Sequence, residues 1–66
     1  MKIILNGRDY DVPEGTTIAQ LVKLREIGTP AYAIERNNAV VFRKLHETTV
    51  LCDGDKIEIV VAVGGG

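Results

Sequence analysis

Serine and tryptophan are missing from this 66-residue chain, and cysteine and histidine occur once each. The lack of serine excludes a serine nucleophile. One cysteine cannot form an internal disulfide, although small secreted domains usually depend on several. A catalytic pair of Cys52 and His46 has no supporting motif, and a lone cysteine is usually a small buried hydrophobic residue. We expect His46 to be solvent-exposed in a loop, and we expect no metal site because the usual ligands do not cluster in the sequence.

The charged residues are scattered rather than clustered. The net charge is −1 and the 8 lysines and arginines form no basic patch, which argues against nucleic-acid binding. No apolar run approaches the roughly 20 residues that span a bilayer. Because strand-like alternation begins at Met1, we expect no signal peptide. A chain this short forms one domain and buries only about 60% of its unfolded surface. These features predict a cytoplasmic monomer that acts through its surface or its ends.

The first twelve residues have the pattern of a β-hairpin. Ile3 and Leu5 share one face of a strand predicted over residues 1–6. Asn6-Gly7 is the strongest short hairpin signal, because both residues tolerate φ > 0. A second alternating strand over residues 8–12 completes the hairpin.

A helix is predicted over residues 17–27. Thr17 and Gln20 have the spacing of a capping box, in which each side chain bonds the backbone N–H of the other residue. Apolar residues then recur at helical spacing at Ile18, Leu21, Val22, Leu24 and Ile27. Gly28 is the predicted stop, and Pro30 prevents continuation.

Short extended segments fill the second half of the chain. Strands are predicted over residues 31–36 and 39–42, on either side of an Asn37-Asn38 turn. Residues 45–51 fit a loop that contains at most one short strand. The turn Asp53-Gly54-Asp55 precedes the clearest strand of all, over residues 56–63. We interpret four charged residues of this half as solvated: Glu35, Arg36, Arg43 and Lys44.

This order of elements predicts an α+β fold. One helix of about three turns covers one face of a mixed sheet of four to five strands. The first and last strands then lie side by side and parallel, joined by a crossover that contains the helix. That is the ubiquitin-like β-grasp arrangement, predicted for residues 1–63 and followed by a glycine tail at 64–66. The predicted core consists of Ile3, Leu5, Tyr10, Val12, Ile18, Leu21, Val22, Tyr32, Ile34, Val40, Leu51, Ile57, Ile59 and Val61.

The last strand leads directly into Gly64, Gly65 and Gly66. Without Cβ atoms, such a tail can lie extended in a channel too narrow for other side chains. It reaches beyond the body by up to about 3.3–3.6 Å per residue, and its terminal carboxylate is unhindered. Adenylation by ATP would turn that carboxylate into a mixed anhydride that a sulfur or amine nucleophile can attack. We also expect these glycines to be mobile in the free protein, because glycine loses the most backbone entropy on ordering.

Several segments together resemble one known family. They are residues 1–7, 16–18, 33–37, 40–43, 53–59 and 63–66, whose sequences are similar to those of the sulfur carriers of thiamine biosynthesis, the ThiS family. The resemblance covers the whole chain, and its most specific part is the Gly-Asp-x-Ile-Glu-Ile strand that leads to a Gly-Gly end. Phe42 departs from it, because the family commonly has proline before Arg43.

The resemblance implies a mechanism in which the protein is a co-substrate rather than an enzyme. An E1-like adenylyltransferase would activate Gly66 with ATP and magnesium, so no cofactor is expected on this chain itself. A cysteine desulfurase or a rhodanese-type protein would supply persulfide sulfur. The resulting thiocarboxylate on Gly66 would then donate its sulfur to thiazole synthase.

A docking surface is predicted on the sheet face opposite the helix. If the first and last strands are neighbours, Ile4 should lie beside Val60 and Ala62, with Ala33 joining them from the third strand. An apolar patch at the base of a reactive tail is typical of a partner surface, although single exposed aliphatic residues are common. The same patch could serve both the adenylating enzyme and the sulfur acceptor.

Three other functions share parts of this pattern. A sulfur carrier subunit of molybdopterin synthase uses the same tail chemistry. A ubiquitin-like modifier would be joined to lysines through Gly66 and would give isopeptide products. A β-grasp binding module with an incidental tail would keep its activity without the last two residues.

Overall fold

The structure, a computed structural model, describes residues 1–62, and residues 63–66 lie outside that description. Five strands, one α-helix and a short 3-10 turn follow one another along the chain. The strands are β1 (Lys2–Leu5), β2 (Arg8–Asp11), β3 (Tyr32–Arg36), β4 (Ala39–Val40) and β5 (Lys56–Val61). The helix is α1 (Ile18–Leu24), and the 3-10 turn is Arg43–Leu45.

The strands form a single mixed sheet in the order β2-β1-β5-β3-β4. The central pair β1–β5 is parallel, and the other pairs are antiparallel. The hairpin turns at Asn6-Gly7 and Asn37-Asn38 both have two residues with positive φ, which is the geometry that suits the twist of two-residue hairpins. The predicted β-grasp fold, with one helix on a mixed sheet, is confirmed.

One apolar cluster lies between α1 and the sheet. Ile3, Ile34 and Ile57 from the three inner strands are fully buried, as are Ile18 and Leu21 from α1. The cluster is completed by Leu5, Val12, Val22, Leu51 and Ile59. These ten residues were all in the predicted core, and for all of them except Leu51 the reason is that alternation along the predicted strands and helical spacing in α1 select the inner faces.

Two predicted core residues are exposed instead, Val40 at 63% and Val61 at 40%. Val41, rather than Val40, packs against the core from this segment. It also donates its N–H to Ile34 O at 2.9 Å. Val61 lies beyond the last β1–β5 pair, Leu5–Ile57, so within residues 1–62 only β3 flanks it. The tyrosines Tyr10 and Tyr32 are partly buried at the edge of the cluster.

The helix begins as predicted and ends earlier. Thr17 accepts the N–H of Gln20 at 3.2 Å, and Gln20 Oε1 accepts the N–H of Thr17 at 2.9 Å, so the capping box is confirmed. Helical residues stop at Leu24, and the left-handed residue of the C-terminal cap is Glu26, with φ +53°, rather than Gly28. Glu26 N–H bonds Lys23 O and the following amide bonds Val22 O, which is a Schellman motif.

His46 is buried, at 3% exposure, so its predicted solvent exposure is wrong. The residue follows the 3-10 turn, which folds back over β3. Its Nε2 lies 2.9 Å from Val41 O, and its ring stacks on Tyr32 with 6.1 Å between ring centroids. The Nε2–H tautomer satisfies the carbonyl, and Nδ1 has no partner among the described residues. His46 therefore joins the turn to the sheet.

Asp55 is a buried carboxylate at the start of β5, with 6% exposure. It accepts hydrogen bonds from Cys52 N at 2.8 Å, Arg36 Nε at 2.9 Å and Asn37 Nδ2 at 3.1 Å. Burial raises the pKa of Asp55, but the hydrogen bonds from Cys52, Asn37 and Arg36 and the charge of Arg36 outweigh it and hold the pKa below the ordinary value. The interpretation of Arg36 as a solvated charge is therefore wrong.

Cys52 itself is exposed rather than a small buried hydrophobic residue. Its backbone is held by Asp55, and its Sγ lies 3.4 Å from Arg36 Nη2. His46 is bonded to Val41 and stacked on Tyr32. The partners of the two side chains therefore give no support to a Cys52–His46 catalytic pair.

Candidate functional site at the end of the last strand

The candidate site is the end of β5 (Lys56–Val61), beside Ala62, the last residue that the structure describes. Ala62 donates its N–H to Ala31 O at 2.8 Å, and this is the last backbone hydrogen bond along the described chain. The predicted functional residues Gly64, Gly65 and Gly66 lie outside the described residues. Their predicted mobility therefore stays a prediction. The structure therefore describes the point from which the tail starts, and the role of the Gly66 carboxylate stays a prediction.

Three small or branched residues surround this point on the sheet face opposite α1. Ala33 pairs with Val60 across the β3–β5 ladder. Val60 is 53% exposed, and Ala62 follows two residues later on the same face. We call Ala33, Val60 and Ala62 the exit patch. A shallow groove runs along it and is also lined by Pro30, Ala31, Tyr32 and Arg43.

Ile4 does not belong to the exit patch, and its predicted position beside Val60 is wrong. It pairs with Lys56 at the other end of β5. Val60 lies four residues further along that strand, roughly 13 Å away at about 3.3 Å per residue. Ile4 shares the outer face and is 38% exposed. Its role in partner binding remains a prediction, but as a separate contact.

A side chain continues β1 where the backbone turns away. Asn6 Oδ1 accepts the N–H of Ile59 at 2.8 Å, and its Nδ2 donates to Ile59 O at the longer distance of 3.4 Å. The side-chain amide of Asn6 thus makes the hydrogen bonds to Ile59 that the next backbone residue would make if β1 continued beside β5. Sequence reasoning identified Asn6 only as a turn residue, and nothing in its local pattern distinguishes the two roles.

Arg43 has a comparable role on the other side of the exit patch. Its Nη2 donates to Pro30 O at 2.8 Å and to Tyr32 O at 2.7 Å, and its guanidinium carbon lies 4.1 Å from the centroid of the Tyr32 ring. Arg43 is exposed, as expected of a solvated charge, yet it is bound to the segment that starts β3. The preceding Phe42 has φ −62°, the value that proline imposes, so the departure from proline leaves this loop conformation accessible.

Within residues 1–62 no three His, Cys, Asp or Glu side chains are arranged to hold a metal ion. No helix in the same range is long and apolar enough to cross a membrane. The described residues at the end of β5 contribute an exposed apolar surface, formed by Ala33, Val60 and Ala62. A chemical role for the glycines that follow remains a prediction.

The fold and this site place the chain in the class of ubiquitin-like β-grasp proteins, whose last strand leads into a glycine tail. The family comparison is specific within that class. The family model described as "ThiS family" matches residues 3–66. The chain therefore belongs to the ThiS family, the sulfur carrier proteins of thiamine biosynthesis.

Individual relatives agree with this assignment. The sulfur carrier protein ThiS of Bacillus subtilis is 36% identical over 63 residues, which cover 94% of this chain and 96% of that protein. The crystal structure of a thiamine biosynthesis protein (ThiS) from Geobacter metallireducens matches with a TM-score of 0.84 at 28% identity, over 100% of both chains. A thiazole synthase of Magnetococcus marinus is 41% identical over all 66 residues, but the chain spans only 20% of its length.

Proposed function

We propose that this protein carries sulfur as a thiocarboxylate on Gly66 for the formation of the thiazole ring of thiamine. The observation that carries the proposal is the match to the ThiS family model over residues 3–66, which includes all three C-terminal glycines. The protein is then a co-substrate that partner enzymes modify, rather than an enzyme. Its place is the cytoplasm, where ATP is available to the activating enzyme.

The chemistry follows from the properties of a carboxylate. A free carboxylate is a poor electrophile, so an E1-like adenylyltransferase with bound ATP and magnesium first joins it to AMP and releases pyrophosphate. The terminal sulfur of a persulfide, formed on a cysteine desulfurase or a rhodanese-type protein, then displaces AMP. A partner thiol reduces the resulting acyl disulfide, which releases the thiocarboxylate and leaves a disulfide on the partner. The thiocarboxylate is anionic at neutral pH and acts as the sulfur nucleophile.

Thiazole synthase is the proposed sulfur acceptor. Thiazole synthases of Magnetococcus marinus and Paramagnetospirillum magneticum contain a stretch that is 41% and 32% identical to this entire chain. In each case the stretch makes up 20% of the relative. A segment similar to this protein is therefore part of the same polypeptide chain as the rest of a protein named thiazole synthase. Such sharing supports a direct encounter between carrier and synthase.

The exit patch is the proposed docking surface for these partners. It lies where the tail begins, so contact there would hold the body while the glycines enter an active site. Because the patch is small, the adenylyltransferase and thiazole synthase would compete for it and bind one at a time. Ile4, at the far end of the outer face, would add a second contact only for a partner that covers the length of β5.

Intact mass spectrometry tests the proposal directly. The untagged chain is expressed with its adenylyltransferase and a persulfide donor, and we expect a mass change that corresponds to replacement of one oxygen by sulfur. The matched control carries one additional alanine after Gly66, which leaves the body unchanged and should remain uncharged. Sulfur loading of the extended chain, or isopeptide-linked products in place of a thiocarboxylate, would refute the carrier assignment.

A further inference from the structure

Arg43 occupies a position in the sheet that a strand would otherwise fill. The segment after β4 runs along the outer edge of β3. Its last backbone hydrogen bond to β3 is donated by Val41 N–H to Ile34 O, at 2.9 Å. The chain then turns away into the 3-10 turn. Two residues earlier on β3, Tyr32 O is bound instead by Arg43 Nη2 at 2.7 Å, and Pro30 O is bound by the same atom at 2.8 Å.

The guanidinium is held in place by the same segment that it binds. Its carbon lies over the Tyr32 ring, 4.1 Å from the ring centroid, in a favourable cation–π contact. The ring of Tyr32 also stacks with buried His46, which follows the 3-10 turn. Two side chains of one short segment therefore fasten it to the start of β3.

Ala31 lies between the two carbonyl groups that Arg43 binds. Its own carbonyl points to the opposite side and accepts the N–H of Ala62 at 2.8 Å. That bond joins the last described residue to the sheet. The chain of contacts thus runs from Arg43 through the Pro30–Tyr32 backbone to the point where β5 gives way to the tail.

We propose that Arg43 is a positioning residue for the glycine tail: it holds the backbone on both sides of Ala31 and so fixes the direction in which the chain leaves the sheet. This inference rests on the proposed function, since a fixed exit matters only if Gly66 must reach a partner's active site. Without Arg43, Ala31 and Ala62 separate more often. More residues must then be ordered when the tail enters the partner, which weakens binding and leaves the chemistry at Gly66 unchanged.

Lysine cannot replace arginine in this role. The contacts require a planar group that stacks on Tyr32 while one nitrogen donates to two carbonyls, whereas lysine offers a point charge on a flexible stem. The variant Arg43→Lys therefore removes the geometry and keeps the charge. Its matched control is Lys44→Gln, which removes a positive charge from the neighbouring exposed residue of the same 3-10 turn.

Amide exchange in the free protein gives the first measurement. We expect Arg43→Lys to speed exchange of the Ala62 amide about fivefold, the factor that corresponds to loss of roughly one net hydrogen bond. The Ile59 amide, which is bound to Asn6, should exchange as in the wild type. Lys44→Gln should change neither amide. Unchanged exchange at Ala62 in Arg43→Lys would overturn the inference, and so would equal acceleration at Ala62 and Ile59, which indicates general destabilisation.

Sulfur loading gives the second measurement. With the adenylyltransferase, Arg43→Lys should show a KM for the carrier raised about fivefold at nearly unchanged kcat, the pattern of lost binding rather than lost chemistry. Lys44→Gln should behave as the wild type. If the KM of Arg43→Lys equals that of the wild type, Arg43 has only a structural role. If the KM of Lys44→Gln rises by the same factor, the effect of Arg43 is purely electrostatic. Either result would overturn the positioning role. A wild-type protein that takes up no sulfur would refute the proposed function, while exchange at Ala62 would still decide the role of Arg43.

Discussion

Replacement of Asp55 by asparagine tests how strongly one buried carboxylate holds the β-grasp body together. Asp55 joins the turn before β5 to β3 through Arg36 and to the following hairpin turn through Asn37. Asparagine has the same shape and retains one acceptor oxygen, but it places an amide NH₂ toward at least one of these donors. Hydrogen bonds to a charged group contribute about 1.5–3 kcal/mol. Arg36 is partly exposed, and an asparagine oxygen in the place of Oδ2 keeps the bonds from Arg36 and Cys52 while the bond from Asn37 is lost. We therefore expect a loss of about 2 kcal/mol.

That loss is large for a domain of this size. At about 0.05–0.15 kcal/mol per residue, a 66-residue chain has a free energy of unfolding of roughly 3–10 kcal/mol. A change of about 2 kcal/mol should lower the Tm by roughly 8–16 °C. Urea unfolding at neutral pH measures it directly, and Glu14→Gln, which neutralises an exposed carboxylate in the loop after β2, serves as the matched control.

The pH dependence distinguishes the charge from the shape. The pKa of Asp55 is lowered in the folded protein, so its stabilising contribution is complete above the unfolded value of about 3.9 and is lost as the pH falls through the lower folded value. The asparagine variant has no proton to bind there. The difference in the free energy of unfolding between the wild type and Asp55→Asn should therefore become smaller at acidic pH. A variant within about 0.5 kcal/mol of the wild type at neutral pH, or a difference that persists unchanged in acid, would refute the reasoning.

Three other substitutions give independent tests. Glu26→Gly should raise the free energy of unfolding by about 0.5–1 kcal/mol in urea titrations, because glycine removes the strain of a left-handed residue in the helix cap; an unchanged or lower value would contradict the cap assignment. Cys52→Ala should accept sulfur at the wild-type rate in the mass assay, since the reactive cysteines belong to the partners; a folded variant that stays uncharged would disprove this. Val60→Asp should weaken binding to the adenylyltransferase at least about tenfold, as expected for an apolar anchor, and Ile4→Asp should weaken it less. Titration calorimetry measures both affinities. If the two variants have equal effects, or neither has an effect, the exit patch is not the interface.

Local patterns in the sequence were sufficient for most of the fold. The turn at Asn6-Gly7 and the capping box of Thr17 and Gln20 depend on residues that are neighbours in sequence, and both are present as predicted. Strand alternation and helical spacing identified nine of the ten buried hydrophobic residues of the core, and the tenth is Leu51, from the predicted loop over residues 45–51. These features follow from backbone geometry that each segment imposes on itself.

The strand register could not be predicted in the same way. The parallel pair β1–β5 joins residues about fifty positions apart, and no tight turn between them sets which residues face one another. The assumption that Ile4 faces Val60 was therefore wrong by four residues. In hairpins the turn type sets the register, and the predicted Asn37-Asn38 turn accordingly matches the β3–β4 pairing.

Buried polar residues were the other failure. His46 was predicted to be exposed and Asp55 was interpreted only as a turn residue, but both are buried because they have partners in other segments. Arg43 and Asn6 were missed as supports of the site for the same reason. The glycine tail itself was recognisable from the sequence, and the chemistry of Gly66 remains a prediction.

The turn between β1 and β2 has a consequence for which amino acids its first position accepts. In an isolated hairpin, Asn-Gly, Asp-Gly and Gly-Gly are nearly interchangeable, because each tolerates the left-handed backbone. Here the same residue must also provide both an acceptor for Ile59 N–H and a donor for Ile59 O. Aspartate would set a carboxylate oxygen against that carbonyl, and glycine would leave both groups without a partner. A two-residue loop at the surface thus determines how the central strand is completed some fifty residues later. The turn alone would accept asparagine, aspartate or glycine at its first position, and the two hydrogen bonds to Ile59 restrict the choice to asparagine.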